Sequence, residues 1–410
     1  MPECIRVFFK FICKHFGSVL PETGGNRNIF SGDDISTRTC RVVQQDISDL
    51  NRGDSVDLTD RFHDILYFTF GDIGGSLNGN DRQDAAGKQA RSRLAWLDIS
   101  LPQRGVNGLT ETIPAVFRLL MNKEVTLPSF SVTSALPSIM NGGKDFSPWS
   151  KKDDLLYKTL RLPVEAVLGR DGVGLADCAI AESKFEKGED VAGRMLSLLP
   201  QLNEVRNRGT PDMEFAVSGL LARSQLANGQ PSDARRTIEV LRECFAERGL
   251  TRFLPNMDAM LCRIDMHTGD LDAADAWYRE KAPREPTHLN VMRRYQYLTQ
   301  AMVELEDGRP DAAQLTLAPL EPYVQNCARI IDGIHLNVLT AIALHRKKDE
   351  RWRERLTAAL DAAADMSVIL TYWQLRDGVA DHGFWCGLKY RIASVLLRPA
   401  YRKARERRPQ

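Results

Sequence analysis

A chain of 410 residues has room for two to three domains, or for one long solenoid with an added region. Its 43% hydrophobic and 27% charged content is that of a soluble globular protein, and a net charge of +1 excludes a global field for nucleic acid or membrane. Eight cysteines (Cys4, Cys13, Cys40, Cys178, Cys244, Cys262, Cys327, Cys386) lie without a CxxC pair in a loop-poor chain, the usage of reduced, mostly buried thiols in a cytoplasmic protein.

The first segment, Cys4 to His15, is apolar but interrupted by Lys10 and Lys14, and no small-residue cleavage site follows. It reads as a short amphipathic segment that docks on the protein. No uncharged run approaches the roughly 20 residues that span a bilayer. Residues 1–104 form a region of uncertain fold, rich in Asp, Ser, Asn, Gly and Arg between Asn26 and Asp60. Within it Ile65-Leu-Tyr-Phe-Thr-Phe70 has strand composition, and Gly71 to Gly79 is a flexible loop. Residues 105–152 are a helical linker, Leu109 to Leu127, followed by a loop from Ser131 to Trp149. Two prolines, paired glycines and Asn141 make that loop a structured turn region.

Helices dominate residues 153–365, and there a turn signature recurs. Gly188-Glu-Asp-Val-Ala-Gly193, Gly229-Gln-Pro-Ser-Asp-Ala234, Gly269-Asp-Leu-Asp-Ala-Ala274 and Gly308-Arg-Pro-Asp-Ala-Ala313 are joined by a worn copy, Lys348 to Arg353. Their starts lie 41, 40, 39 and 40 residues apart. A fixed period in this range marks stacked helical hairpins, because no single repeat buries its apolar face alone. Each glycine supplies a left-handed stop to a first helix. An Asp or Ser just after it caps the second. The alanine five residues past the glycine lets the two helices approach.

First helices carry apolar residues at helical spacing, as in Met213, Ala216, Val217 and Leu220; Met257, Met260, Leu261 and Ile264; and Tyr295, Leu298, Met302 and Leu305. Ala234, Ile238, Leu241 and Phe245 do the same on a second helix. The fold class is mainly α, a tetratricopeptide-like helical-hairpin solenoid. Its period exceeds the 34 residues typical of tetratricopeptide repeats, so helices or loops must be longer. Residues 366–410 read as a C-terminal cap, with Trp373, Phe384 and Trp385, and a basic tail from Arg398 to Arg408.

Candidate sites are few. His267, His288, His335 and His345 show no i, i+4 pair with a carboxylate, so no metal site is expected. The acid pairs Asp153-Asp154 and Glu189-Asp190 sit at helix starts, where they suit the dipole. No Gly-x-Ser-x-Gly elbow occurs; the chain reads as no enzyme, with no catalytic residue and no cofactor. Arg293-Arg-Tyr-Gln-Tyr297 on a first helix, with Asp258 and Arg263 one repeat earlier, is placed for a concave surface. Asp258, Arg263, Arg293, Arg294 and Tyr297 are therefore candidate contacts, set against a solvated face that only keeps the solenoid soluble. Met257, Met260 and Met266 offer either an adaptable face or, for the first two, plain core filling.

The repeats and the loop ahead of them, with Met140-Asn-Gly-Gly-Lys-Asp-Phe146, resemble the helical-repeat region of MalT-like LuxR-type bacterial transcriptional regulators over about residues 105–365. The segments Leu155 to Leu168 and Ala176 to Gly188 fit the same reading. The resemblance implies a sensor, between a nucleotide-binding ATPase module and a helix-turn-helix. Gly87-Lys88 fails as a P-loop, since Gln89 follows and Arg82 holds the first glycine position, and no helix-turn-helix is recognisable after Asp365. The expectation is a non-catalytic sensor or interaction module that binds a small-molecule effector or a partner protein in its groove and shifts curvature or self-association. The alternatives are a DNA-associated regulator working weakly through its basic tail or a partner, and a truncated regulator with no activity of its own. No membrane partner is expected.

Overall fold

The computed structural model of the chain describes residues 133–152, 161, 164–165, 168–189, 191–283 and 289–366. The chain divides into two units, residues 1–129 and 130–410, and the described residues all belong to the second. The expected strand at Ile65, the helix from Leu109 to Leu127, Asp153-Asp154, His288, the aromatic cap and the basic tail lie outside the described residues.

Eleven α-helices follow one another among the described residues: α1 Leu175–Glu186, α2 Val191–Arg208, α3 Pro211–Ala227, α4 Pro231–Glu247, α5 Leu254–Thr268, α6 Leu271–Lys281, α7 Arg294–Glu306, α8 Pro310–Leu317, α9 Leu320–Asn326, α10 Ile330–Arg346 and α11 Trp352–Met366. Each turn signature joins the two helices of one hairpin. Gly188, Gly229, Gly269 and Gly308 have φ of 71, 75, 80 and 69°, and the worn copy keeps the conformation with Lys348 at 58°. The next residue's N–H then reaches back to an orphan carbonyl of the ending helix: Gln230 to Gln225, Asp270 to Asp265, Arg309 to Glu304 and Asp349 to Leu344, at 2.8 to 3.0 Å. This closure needs a left-handed residue, and glycine adopts it without a Cβ clash.

Side-chain capping of the second helix follows the expectation at Asp270, whose carboxylate accepts from Ala273 N at 3.1 Å, and the worn copy keeps a related contact, Asp349 accepting from Arg351 N at 3.0 Å. In α4 and α8 a proline, Pro231 or Pro310, opens the helix and no side chain caps it. Proline has no N–H needing a partner there, and Ser232 and Asp311 already lie inside the helix. The extra residues of the forty-residue period are spent differently along the chain. Both α3 and α4 run to 17 residues. Further on, the second helix opposite α7 is broken into α8 and α9 by Ala318-Pro319.

First helices α3, α5, α7 and α10 are buried on nearly every side, whereas the second helices bury one stripe. Ala234, Ala274 and Ala313 are 0 to 2% exposed, at the points where hairpin helices meet. Ala274→Leu or Ala313→Leu is expected to overpack that contact and cost about 1–3 kcal/mol. Urea unfolding of the full chain checks it, and unchanged midpoints for both variants would refute the assigned contact.

Candidate functional site: a loop-lined cavity in the concave groove

The Ser131–Trp149 loop does not lead up to the solenoid; from Thr133 it runs through the groove. It is built of turns, with Ser134 and Ala135 at positive φ, a single bridge between Asn141 and Asp145, and a 3-10 turn, Ser147–Lys152. That turn packs against both α1 and α11, near the two ends of the described repeats. A loop laid on helices needs partners for its own amides and carbonyls, and the first helices supply them.

On α1, the Glu182 carboxylate accepts from Ile139 N at 2.8 Å, Met140 N at 2.9 Å and the Ser138 hydroxyl at 2.6 Å. On α3, Gly219 leaves no room for a side chain, since a Cβ there would stand 2.7 Å from that of Pro137. On α5, the Asn256 amide donates to the Ala135 carbonyl at 2.8 Å.

On α7 and just before α10, Arg294 and Arg329 converge on the Asn-Gly-Gly turn. Arg294 donates to the carbonyls of Asn141, at 2.8 Å, and Gly142. Arg329 donates to Gly143 at 3.1 Å and to the Asn141 side chain at 2.7 Å. Both guanidiniums share Asp332, each with Nε at 3.0 Å from Oδ2. The other Asp332 oxygen accepts from the Asn141 amide at 2.7 Å. Burial works to raise the Asp332 pKa, but the two arginines and the amide outweigh it and hold it at about 2.

Beside the loop the groove stays open as a cavity of about 520 Å³. Its wall is a stripe one helix-turn wide from each first helix. The stripe is Glu182 and Glu186 of α1; Ala222, Arg223 and Leu226 of α3; Met260, Arg263, Ile264 and His267 of α5; Arg294, Tyr295, Leu298 and Met302 of α7; and Ile331, Asp332 and His335 of α10. Leu136, Pro137, Ser138 and Asn141 of the loop close the other side.

Of the five candidate contacts, Arg263 and Arg294 line this cavity, and Arg294 is already held by the loop. The other three stand elsewhere. Asp258 faces the second helices and pairs with Arg242 at 2.7 Å and Lys281 at 3.2 Å. Arg293 is exposed at the end of a 3-10 turn. Tyr297 lies in the core, 5% exposed, where its hydroxyl oxygen accepts from Asn290 N at 3.4 Å. Of the methionines, Met260 reaches the cavity, while Met257 and Met266 are core.

Glu182, Arg223, Arg329 and Asp332 were not singled out by sequence reasoning. A signal existed: each is a charge set at or within an apolar first helix, and Arg329 and Asp332 are three apart.

His335 donates from Nδ1 to the Ile331 carbonyl at 3.0 Å. Burial, helped by the Arg263 charge, pushes its pKa down to about 4, so the ring is neutral. An unfolded histidine titrates near 6.5. Below that pH the unfolded chain therefore takes up a proton that the fold refuses, and stability falls as pH drops from about 6.5 to 4. The His335 share is expected to reach roughly 2 kcal/mol at pH 4.5, read as the difference between wild type and His335→Gln in urea unfolding. Parallel pH profiles for the two proteins would count against it.

Among the described residues no group of three or more His, Cys, Asp or Glu is arranged to hold a metal ion. Of the described cysteines, Cys178, Cys262 and Cys327 are buried. Among the same residues no helix is long and apolar enough to cross a membrane. Neither the curated proteins nor the solved structures contain a match to the chain. Residues 190–372 match the family model of the MalT-like TPR region, a stretch that starts at α2 and contains every hairpin from α3 onward. The loop at 133–152 and α1 lie upstream of the matched residues. The described hairpins from α3 onward thus lie within a stretch that matches the MalT-like TPR region, behind a loop that occupies their groove.

Proposed function

We propose that this chain is a non-catalytic sensing module in which a small molecule enters the cavity between the loop and the first helices. The observation that carries the reading is the shared wall: one cavity touches the loop and five first-layer helices at once. A partner protein in the groove is disfavoured, because the loop already fills much of that surface. A cavity of about 520 Å³ has the size of small-molecule sites. The ligand acts by binding one arrangement of loop and helices better than another, since equal affinity for both would shift nothing. With the loop tied to α1, α5, α7 and α10, occupancy is transmitted as a change in solenoid curvature.

The test is a thermal-shift screen of soluble metabolites on the full chain. At least one compound should raise the melting temperature and slow hydrogen exchange at the Ile139 and Met140 amides. Ala222→Phe, which puts a ring into the cavity, should abolish the shift. Compounds that stabilise this variant as well as wild type, or a screen without any saturable binder, overturn the reading. Turnover of nucleoside triphosphates by the purified chain would overturn its non-catalytic part.

A further inference from the structure

Two of the three arginines that line the cavity, Arg223 and Arg294, have carboxylate partners. Arg223 donates to Glu182 at 2.9 Å and also to Glu186, while Arg294 shares Asp332 with Arg329. Arg263, in the middle of α5, has no carboxylate within 4 Å among the described residues. Its Nε donates to the Thr299 hydroxyl at 2.7 Å and one Nη to the Tyr295 carbonyl at 3.3 Å. The guanidinium carbon lies 3.9 Å from the centroid of the Tyr295 ring. Two of five N–H donors are thus used within the described residues, and the plane is fixed by stacking and by the threonine.

Arg263 is half-buried, and partial desolvation of an ion without a counter-ion is costly. Burial lowers the Arg263 pKa, the direction expected of an uncompensated charge, and the same charge helps keep His335 neutral across the cavity. The remaining wall is mostly apolar: Pro137, Met260, Ile264, Leu298 and Met302 contribute no charge. A guanidinium fork matches a planar carboxylate in geometry, and Arg263 is the lining arginine without a carboxylate partner among the described residues.

We infer that the cavity takes a small organic monocarboxylate, its carboxylate paired with the free edge of Arg263 and its apolar body laid against Ile264, Leu298 and Met302. The inference rests on the sensing reading above and specifies the ligand class. Pairing spares Arg263 its isolation, and the stacked geometry means little side-chain entropy is lost when it forms. The neutral His335 ring offers a nitrogen acceptor nearby for a ligand hydroxyl, which distinguishes hydroxy acids from plain ones.

The experiment uses the full chain and four probes: 4-phenylbutyrate, its amide, octanoate and inorganic phosphate. Binding is read by calorimetry, and the His335 titration by NMR. The carboxylates should bind saturably, at least about tenfold tighter than the amide, and phosphate should not compete. A bound carboxylate should also move the His335 titration upward, which a merely structural role for Arg263 would not do. In Arg263→Gln the carboxylates should weaken to the level of the amide. Arg263→Lys, which keeps the charge and loses the fork, should retain part of the affinity and serves as the folded control. Equal binding of acid and amide to wild type overturns the carboxylate pairing while leaving the cavity a small-molecule site. So does acid binding that survives Arg263→Gln. Failure of both carboxylates to bind overturns the inference, and the metabolite screen then decides separately whether the sensing reading stands. Phosphate displacing the acids would replace a carboxylate site by a general anion site and also overturn it.

Discussion

Asp332→Ala is expected to destabilise the repeat stack by about 3–5 kcal/mol, the cost of breaking a buried ion pair by removing one side. Asp332 is 3% exposed, and the two arginines it serves, Arg294 and Arg329, are each 2% exposed. Removing it leaves both guanidiniums facing carbonyl oxygens alone and takes away the acceptor of the Asn141 amide. Asp145, the next carboxylate in the network, cannot take over. It is bound to the backbone N–H groups of Ile331 and Ser147, and burial raises its pKa. Asp332→Asn keeps the shape and should fall between alanine and wild type. Protonation acts on the same group: with a folded pKa of about 2 against 3.8 when unfolded, its contribution is present above pH 3.8 and lost as pH falls toward 2. Urea unfolding of the full chain at neutral pH is the measurement. A loss below about 1 kcal/mol for the alanine variant would mean that water reaches the two arginines, and the buried network would have to be withdrawn.

The hairpins were legible in the sequence because their signals are local. A glycine with positive φ and an alanine at a helix contact are set by neighbours a few residues away, and the forty-residue spacing repeats them. The break at Ala318-Pro319 is equally local, since a proline cannot continue the helix before it. The groove was less legible. On a helix buried all round, such as α5 or α7, hydrophobic periodicity does not tell the concave face from the face toward the second helices. Asp258 and Tyr297 were placed on the concave side for that reason, whereas Asp258 meets Arg242 and Tyr297 meets the core. Arg294 was chosen for its charge on a first helix, but its partners in the loop lie about 150 residues upstream. A pairing across that separation leaves no pattern in a single sequence.

The loop joins what the repeat model keeps apart. In a simple solenoid each hairpin touches only its neighbours, and curvature is free to vary by small rotations per repeat. Here one strap of about 20 residues holds Glu182 on α1 at one point and Arg294, Arg329 and Asp332 on the α7–α10 side at another, and its 3-10 turn also meets α11. Curvature is then coupled to how the strap sits, and the cavity lies between the strap and the helices whose spacing it sets.

Removing the first of those anchors tests the coupling. Glu182→Ala is expected to cost about 2–4 kcal/mol, since the buried N–H groups of Ile139 and Met140 lose their only described acceptor and each orphaned donor costs about 1–3 kcal/mol. Arg223 keeps Glu186, so the charge on α3 is not stranded. Glu182→Gln retains one carbonyl oxygen and should recover part of the loss. Hydrogen exchange separates the local effect from the global one: the Ile139 and Met140 amides should exchange faster in Glu182→Ala by more than the drop in overall stability accounts for. Combining Glu182→Ala with Asp332→Ala gives the decisive comparison. If the loop acts as one strap, the first substitution already loosens it, and the second then costs less than it does alone, by about 0.5–3 kcal/mol. Strictly additive losses would mean that the two anchors hold independent segments, and the loop could not then carry a signal from the cavity to both ends of the repeats.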